Sequence, residues 1–135
     1  MFTAVMSVAA VDIGVNKAGF SQLNDQVEIA APGVQVLSML PNNKYAAWSG
    51  TSMACPHVAG VAGLVWSYFP DCEPNQIRNV LLKTADDKSG NGCDVNYGFG
   101  IVKAKKAYEL LASEGRTAGG PFLGDGQSAA PCGCD

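Results

Sequence analysis

Ser52 is the residue on which chemistry could be built. It stands in Gly50-Thr51-Ser52-Met53-Ala54-Cys55-Pro56-His57-Val58-Ala59-Gly60, where a polar, glycine-marked stretch becomes an apolar helical run. A serine hydroxyl is a useful nucleophile only when it is presented at a constrained position with a base beside it. A helix N-terminus supplies the first condition, and its unpaired N–H groups and positive dipole end can stabilise a developing oxyanion. The stretch therefore offers Ser52 as a candidate nucleophile, with its own backbone N–H a candidate oxyanion donor and Thr51 and Met53 beside it. The competing reading is structural, because Ser52 or Thr51 could simply cap the helix, both being favoured cap types.

A base has to be found. His57 is the single histidine of the chain. On a helix it lies about 140° around and about 7.5 Å along the axis from Ser52. Helical neighbours meet at three and four residues, not five, so His57 cannot serve Ser52 from the same helix. It reads instead as a buried helix histidine with a hydrogen-bond partner. Cys55 lies three residues after Ser52 and reads as a free core thiol, since no basic partner accompanies it. The chain thus carries a nucleophile without its base.

The string from Gly50 to Gly60 resembles the serine signature of the subtilisin-like serine proteases, the subtilases. Ala31-Pro32-Gly33, the segment from Leu40 to Tyr45, and Tyr97-Gly98-Phe99-Gly100 fall where that family has similar segments. The resemblance runs over roughly residues 4–112 and corresponds to the C-terminal part of a subtilase catalytic domain. It implies an endopeptidase that forms an acyl-enzyme at Ser52. Subtilases order their triad Asp, His, Ser, so the Asp, the His and the oxyanion Asn belong to an N-terminal part of the domain without a counterpart here. This chain alone is therefore expected to be inactive, and that N-terminal part is its expected partner besides protein or peptide substrates. Tyr45 and Trp48 are placed to line the leaving-group side of the cleft. Glu28 lies near a position where some subtilases hold calcium. One carboxylate falls far short of the six to eight oxygens that calcium takes, so a solvated strand-edge charge is the expectation for it. No cofactor is required, a structural calcium in the full-length parent apart, and the parent is expected to be secreted. The alternatives are an inactive partial homologue and an α/β-hydrolase esterase. The esterase elbow prefers glycine where Ala54 stands and needs a histidine after the serine.

Composition sets the frame. Of 135 residues 47% are hydrophobic and 16% charged, which supplies a core and argues against disorder. The net charge of −3, without a run of Lys or Arg, excludes nucleic acid and anionic membrane surfaces as expected partners. No apolar run reaches the ~18–20 residues of a membrane helix. The apolar start lacks a basic leader, and Val5, Val8 and Val11 suit a buried strand.

The elements that must position Ser52 follow in order. Strands are predicted over 4–11, 27–31 and 34–40, the last with Val34, Val36 and Ser38 alternating against Gln35, Leu37 and Met39. Pro41-Asn42-Asn43-Lys44 turns the chain back toward Trp48. A helix from about Ser52 to Tyr68 is apolar on all sides and reads as fully buried. Pro74 opens an amphipathic helix with Ile77, Val80, Leu81 and Thr84 inward and Gln76, Arg78, Asn79 and Lys83 outward. Residues 86–96 form a polar loop, 97–102 an extended crossing, and 103–112 a last helix with Ala104, Ala107, Tyr108 and Leu111 inward. Cys72 and Cys93 are the candidate disulfide pair, closing a loop of about 20 residues, worth about 3 kcal/mol. Cys132-Gly133-Cys134 is too sparse for a zinc site by itself. The fold class is α/β, and the resemblance makes it the C-terminal portion of a three-layer subtilisin-like fold. That fold has a mostly parallel sheet and a buried central helix starting at the nucleophile. Residues 1–112 form the catalytic-domain part and 113–135 a Gly/Ala/Ser/Pro-rich tail or linker.

Overall fold

A computed structural model describes residues 5–90, 92–115 and 118. Strands β1 (Val8–Val11) and β2 (Ile29–Pro32) pair in parallel, from Val8 opposite Ile29 to Val11 opposite Pro32. Both are short and built largely of alanine, valine and isoleucine, and their period-2 alternation divides the core in two. Ala10, Ile29 and Ala31 face the helices, while Ala9, Val11 and Ala30 form a second cluster with Val27 and Ile101. Small side chains on the helix-facing side let α1 (Thr51–Tyr68) lie close against both strands.

The segment 97–102 completes this layer as an added edge on β2. Phe99 N–H donates to Glu28 O at 2.8 Å, Ala30 N–H to Gly100 O at 2.9 Å, and Val102 N–H to Ala30 O at 3.0 Å. Its other edge is held by reciprocal bonds between Ile101 and Asp86 at 3.0 and 2.8 Å. Gly98 and Gly100 make this possible, with φ of +62° and +124° and no room for a Cβ at either position.

The chain then forms an antiparallel hairpin, β3 (Val36–Leu40) with β4 (Lys44–Trp48). Its turn uses the left-handed backbone at Asn42 and Asn43, which asparagine tolerates. Contrary to the expected alternation, neither face of β3 is buried, and Leu37, Met39, Tyr45 and Trp48 all stand out from the surface.

Helix α2 (Pro74–Lys83) starts with a reciprocal capping box, in which Glu73 N–H donates to Gln76 Oε1 at 2.8 Å. Ile77, Val80, Leu81 and Leu82 enter the core, and so does Asn79, which the helical pattern placed outside. Helix α3 (Ala104–Glu114) buries Ala107 and Leu111 but leaves Tyr108 on the surface, edge-on to Tyr68 at 5.3 Å. Residue 113, the expected start of the tail, lies inside α3. Ala118 is fully buried too, its carbonyl taking a 2.9 Å bond from Lys83 Nζ. Residues 119–135, with Cys132 and Cys134, lie outside the described residues.

The largest departure concerns α1. Of its 18 residues only Ala54, Val58 and Val65 are buried, and Leu64 is 54% exposed. The helix is apolar on all sides, as its sequence reads, but only one flank is covered. A Cβ added at Gly60 or Gly63 would meet nothing within 4 Å.

Candidate active site at the start of helix α1

Two backbone bonds tie the start of α1 to the end of the sheet. Gly33 N–H donates to Val11 O at 2.9 Å, and Gly50 N–H donates to Gly33 O at 2.7 Å. Gly33 must be glycine for this approach. A Cβ there would stand 2.7 Å from Ala10 Cβ, 2.8 Å from Gly50 O and 3.3 Å from Ala54 Cβ. None of these is the end of a flexible side chain, so the helix start itself would have to move. Gly33→Ala is expected to cost about 1–3 kcal/mol, read as a lower urea midpoint at unchanged slope. A midpoint equal to that of the parent chain would show that the junction yields freely.

Gly50 is the N-cap residue, and no side chain caps the helix. The capping reading of Thr51 and Ser52 is thus overturned, because they are the first and second helical residues. Ser52 is exposed. Neither its hydroxyl nor its N–H has a hydrogen-bond partner among the described residues. An amide at the second helical position has no intrahelical acceptor and points along the positive end of the dipole. Pro56 lies inside the helix and has no N–H to give to the Ser52 carbonyl. Met53 is half-buried beside Gly50, its sulfur 3.5 Å from where a Gly50 Cβ would be.

Two recesses meet at Ser52. One, of about 370 Å³, lies between the hairpin and α1 and is lined by Val36, Met39, Leu40, Trp48, Met53 and His57 with Ser52. The other, of about 460 Å³, is bordered by Gln35, Ala47, Trp48, Ser49 and Met53. Trp48, Ser52 and Met53 belong to both. Tyr45 belongs to neither and is 67% exposed on the hairpin. Thr51 is half-buried and lines neither recess.

The remaining predicted residues fall elsewhere or behave differently. His57 is exposed, not buried, and its Nδ1 bonds Met53 O at 2.8 Å. That contact points its ring back along the helix. Cys55 is likewise an exposed free thiol and not a core one. Cys72 is free and buried, so it is not the partner of Cys93, which is disulfide-bonded. Glu28 is not a solvated strand-edge charge. It is 2% exposed, accepts a 3.1 Å bond from Ser7 N–H and pairs with the Arg78 guanidinium. Its carboxylate is committed to protein donors, and among the described residues no group of three or more His, Cys, Asp or Glu could hold a metal ion. Among them, too, no helix is long and apolar enough to cross a membrane.

Three carboxylates are held below the usual range, each by local donors. Asp12 is held by the Asn16 N–H, Asp86 by Lys106, and Asp87 by the N–H groups of Gly92 and Gly90. None of them lines a recess at Ser52. The site is therefore a presented hydroxyl, a free helix-start amide and an apolar groove. The sequence reading missed Gln35, Ser49 and Val36 as parts of it.

The Subtilase family model (peptidase S8) matches residues 2–100. The chain belongs to this family. Among its relatives, Subtilisin DY of Bacillus licheniformis is 42% identical over 106 residues, which are 78% of this chain and 38% of that protein. The thermostable alkaline protease of Halalkalibacterium halodurans is 47% identical over 106 residues, 78% of this chain and 28% of the relative. The fold agrees. The crystal structure of fervidolysin from Fervidobacterium pennivorans, a keratinolytic enzyme related to subtilisin, superposes with a TM-score of 0.72 at 38% identity. It covers 78% of this chain and 19% of that one. MycP1 of Mycobacterium smegmatis gives 0.69 at 29% identity, covering 77% of this chain and 29% of that one. This subtilase chain thus spans less than two fifths of the relatives it matches.

Proposed function

We propose that this chain supplies the nucleophile-bearing part of a subtilisin-type serine endopeptidase. The observation that carries the reading is the pairing at Ser52 of a hydroxyl and a helix-start amide that both lack a hydrogen-bond partner among the described residues. In this reading the Ser52 hydroxyl oxygen attacks the scissile carbonyl and its proton passes to a histidine base. The Ser52 N–H donates to the oxygen that becomes negative, and Trp48 and Met53 flank the leaving-group side. The histidine then protonates the departing amine, and in the second half it takes a proton from water, whose oxygen attacks the acyl carbon, and returns that proton to the Ser52 oxygen as the acid leaves. The histidine, its aspartate and a second oxyanion donor come from the part of a subtilase catalytic domain that this chain does not match. The chain alone is inactive, and the chemistry calls for no cofactor.

The uncovered flank of α1 supports the same partner. A helix apolar on all sides belongs inside a protein, and the helix-interior Gly60 and Gly63, where an added Cβ would meet nothing, cost about 1 kcal/mol each against alanine without local return. Both make sense when further polypeptide packs over the Gly60–Gly63 side. Substrates are proteins or peptides, and the complete enzyme acts outside the cell, an oxidising setting that the disulfide at Cys93 fits.

The test is labelling by a fluorophosphonate probe, which reacts fast only with an activated serine. The 135-residue chain is treated alone and after mixing with the portion of Subtilisin DY outside the 106 matched residues. Labelling is expected only in the mixture and is expected to vanish with Ser52→Ala. If gel filtration shows that the two associate while Ser52 stays unlabelled, the chain is an inert homologue.

A further inference from the structure

Gln35 is a non-glycine residue in left-handed backbone, with φ of +52°. Such a conformation is uncommon without the local bonding that asparagine and aspartate provide. It persists where surrounding contacts over-determine it, and such positions cluster at functional sites. Here the determining contact is one hydroxyl. Gln35 N–H donates to Ser49 Oγ at 2.9 Å, and the Gln35 side-chain amide reaches the same oxygen at 3.4 Å. A serine oxygen has two acceptor lone pairs and can take both. Next to this crossing lies the Gly50 N–H bond to Gly33 O at 2.7 Å. Together the two crossings make a short ladder between the segment leaving β2 and the segment entering α1. Gln35 and Ser49 are exposed, so burial does not hold the ladder in place. Gln35, Ser49 and Ser52 border one recess.

We propose that Gln35 and Ser49 are positioning residues for Ser52. Their contact fixes the direction in which the chain enters α1, and so fixes the Ser52 hydroxyl and N–H relative to each other and to the groove. This rests on the reading of Ser52 as the nucleophile, but its structural half can be measured without that reading.

The test compares Ser49→Ala, which removes the acceptor, with Ser49→Thr, which keeps a hydroxyl. The first readout is hydrogen exchange of the Gly50 amide in the 135-residue chain, because that proton is released when the ladder opens. Loss of one neutral hydrogen bond predicts exchange about tenfold faster in Ser49→Ala, with Ser49→Thr returning to the parent rate. The second readout is the rate of Ser52 phosphonylation in the mixture with the Subtilisin DY portion. Ser49→Ala is expected to slow it about tenfold, again with rescue by Ser49→Thr. Unchanged Gly50 exchange in Ser49→Ala, or failure of Ser49→Thr to rescue, overturns the proposal. If the parent mixture associates and is still not phosphonylated, the endopeptidase reading falls while Gly50 exchange decides the positioning role by itself.

Discussion

Arg78→Met is expected to destabilise the chain by about 3–5 kcal/mol, the cost of leaving a buried charge without its partner. The charge is Glu28, 2% exposed and placed just before β2. Arg78 comes from α2, and the third member, Ser7 N–H, comes from the residue before β1. One carboxylate thus ties a helix to both strands of the parallel pair. After Arg78→Met, Glu28 would keep only the Ser7 N–H in an apolar setting. Domains of this size are stable by about 5–15 kcal/mol, so the single change should bring the chain near its folding threshold. Urea unfolding measures it, and a loss under about 1 kcal/mol would mean that solvent reaches Glu28 after all. The pair is not expected to be worth its own breaking cost. Combining Arg78→Met with Glu28→Gln removes both charges and leaves an oxygen for Ser7 N–H, so most of the loss should be recovered, as coupled neighbours require.

Gly98→Ala should cost about 2–5 kcal/mol, from two independent sources. The left-handed backbone at φ +62° costs an alanine about 1–2 kcal/mol. The added Cβ would lie 2.2 Å from Glu28 C, 2.4 Å from Glu28 O and 2.7 Å from Ile29 N, and overpacking adds about 1–3 kcal/mol. The obstructing atoms are all backbone, so no rotamer change relieves them. What separates is the edge on β2, beginning with the Phe99 bond to Glu28 O. Gly63→Ala is the internal control, since its Cβ meets nothing and a helix interior favours alanine. A Gly98→Ala chain as stable as the Gly63→Ala chain would refute the tight crossing.

The local grammar of the chain was readable. Glycine and proline mark the ends of β2 and the hairpin turn, Pro74 marks the first turn of α2, and apolar spacing marks α1 and α3. What could not be read depends on distant partners. The charge of Glu28 looks like an exposed strand-edge charge until Arg78, 50 residues away, is folded beside it. Cys72 and Cys93 have a spacing that a bridge could close, but the fold puts Cys72 under α1 and α2 among apolar side chains. His57 and Cys55 sit in a run so apolar that burial was the natural expectation. The flank they occupy is uncovered in this chain. At the site, Ser52 was legible because hydroxyl, glycine and helix onset are adjacent in sequence. Gln35 was not, since nothing in its residue type announces a left-handed backbone held by a hydroxyl 14 residues later.

The added edge on β2 has a consequence for how the protein is made. Glu28 and Ala30 wait for Phe99, Gly100 and Val102, about 70 residues further along the chain. At synthesis rates of about 5–20 residues per second, that is an interval of about 4–14 s. Through it β1, β2 and the Gly33–Gly50 junction can already be in place, while the outer row of β2 amides and carbonyls has no mate. An open row beside alanine and isoleucine invites pairing with another nascent chain. Yield in a host should therefore track translation speed across residues 31–100, with slow codons there sending more of the product into inclusion bodies.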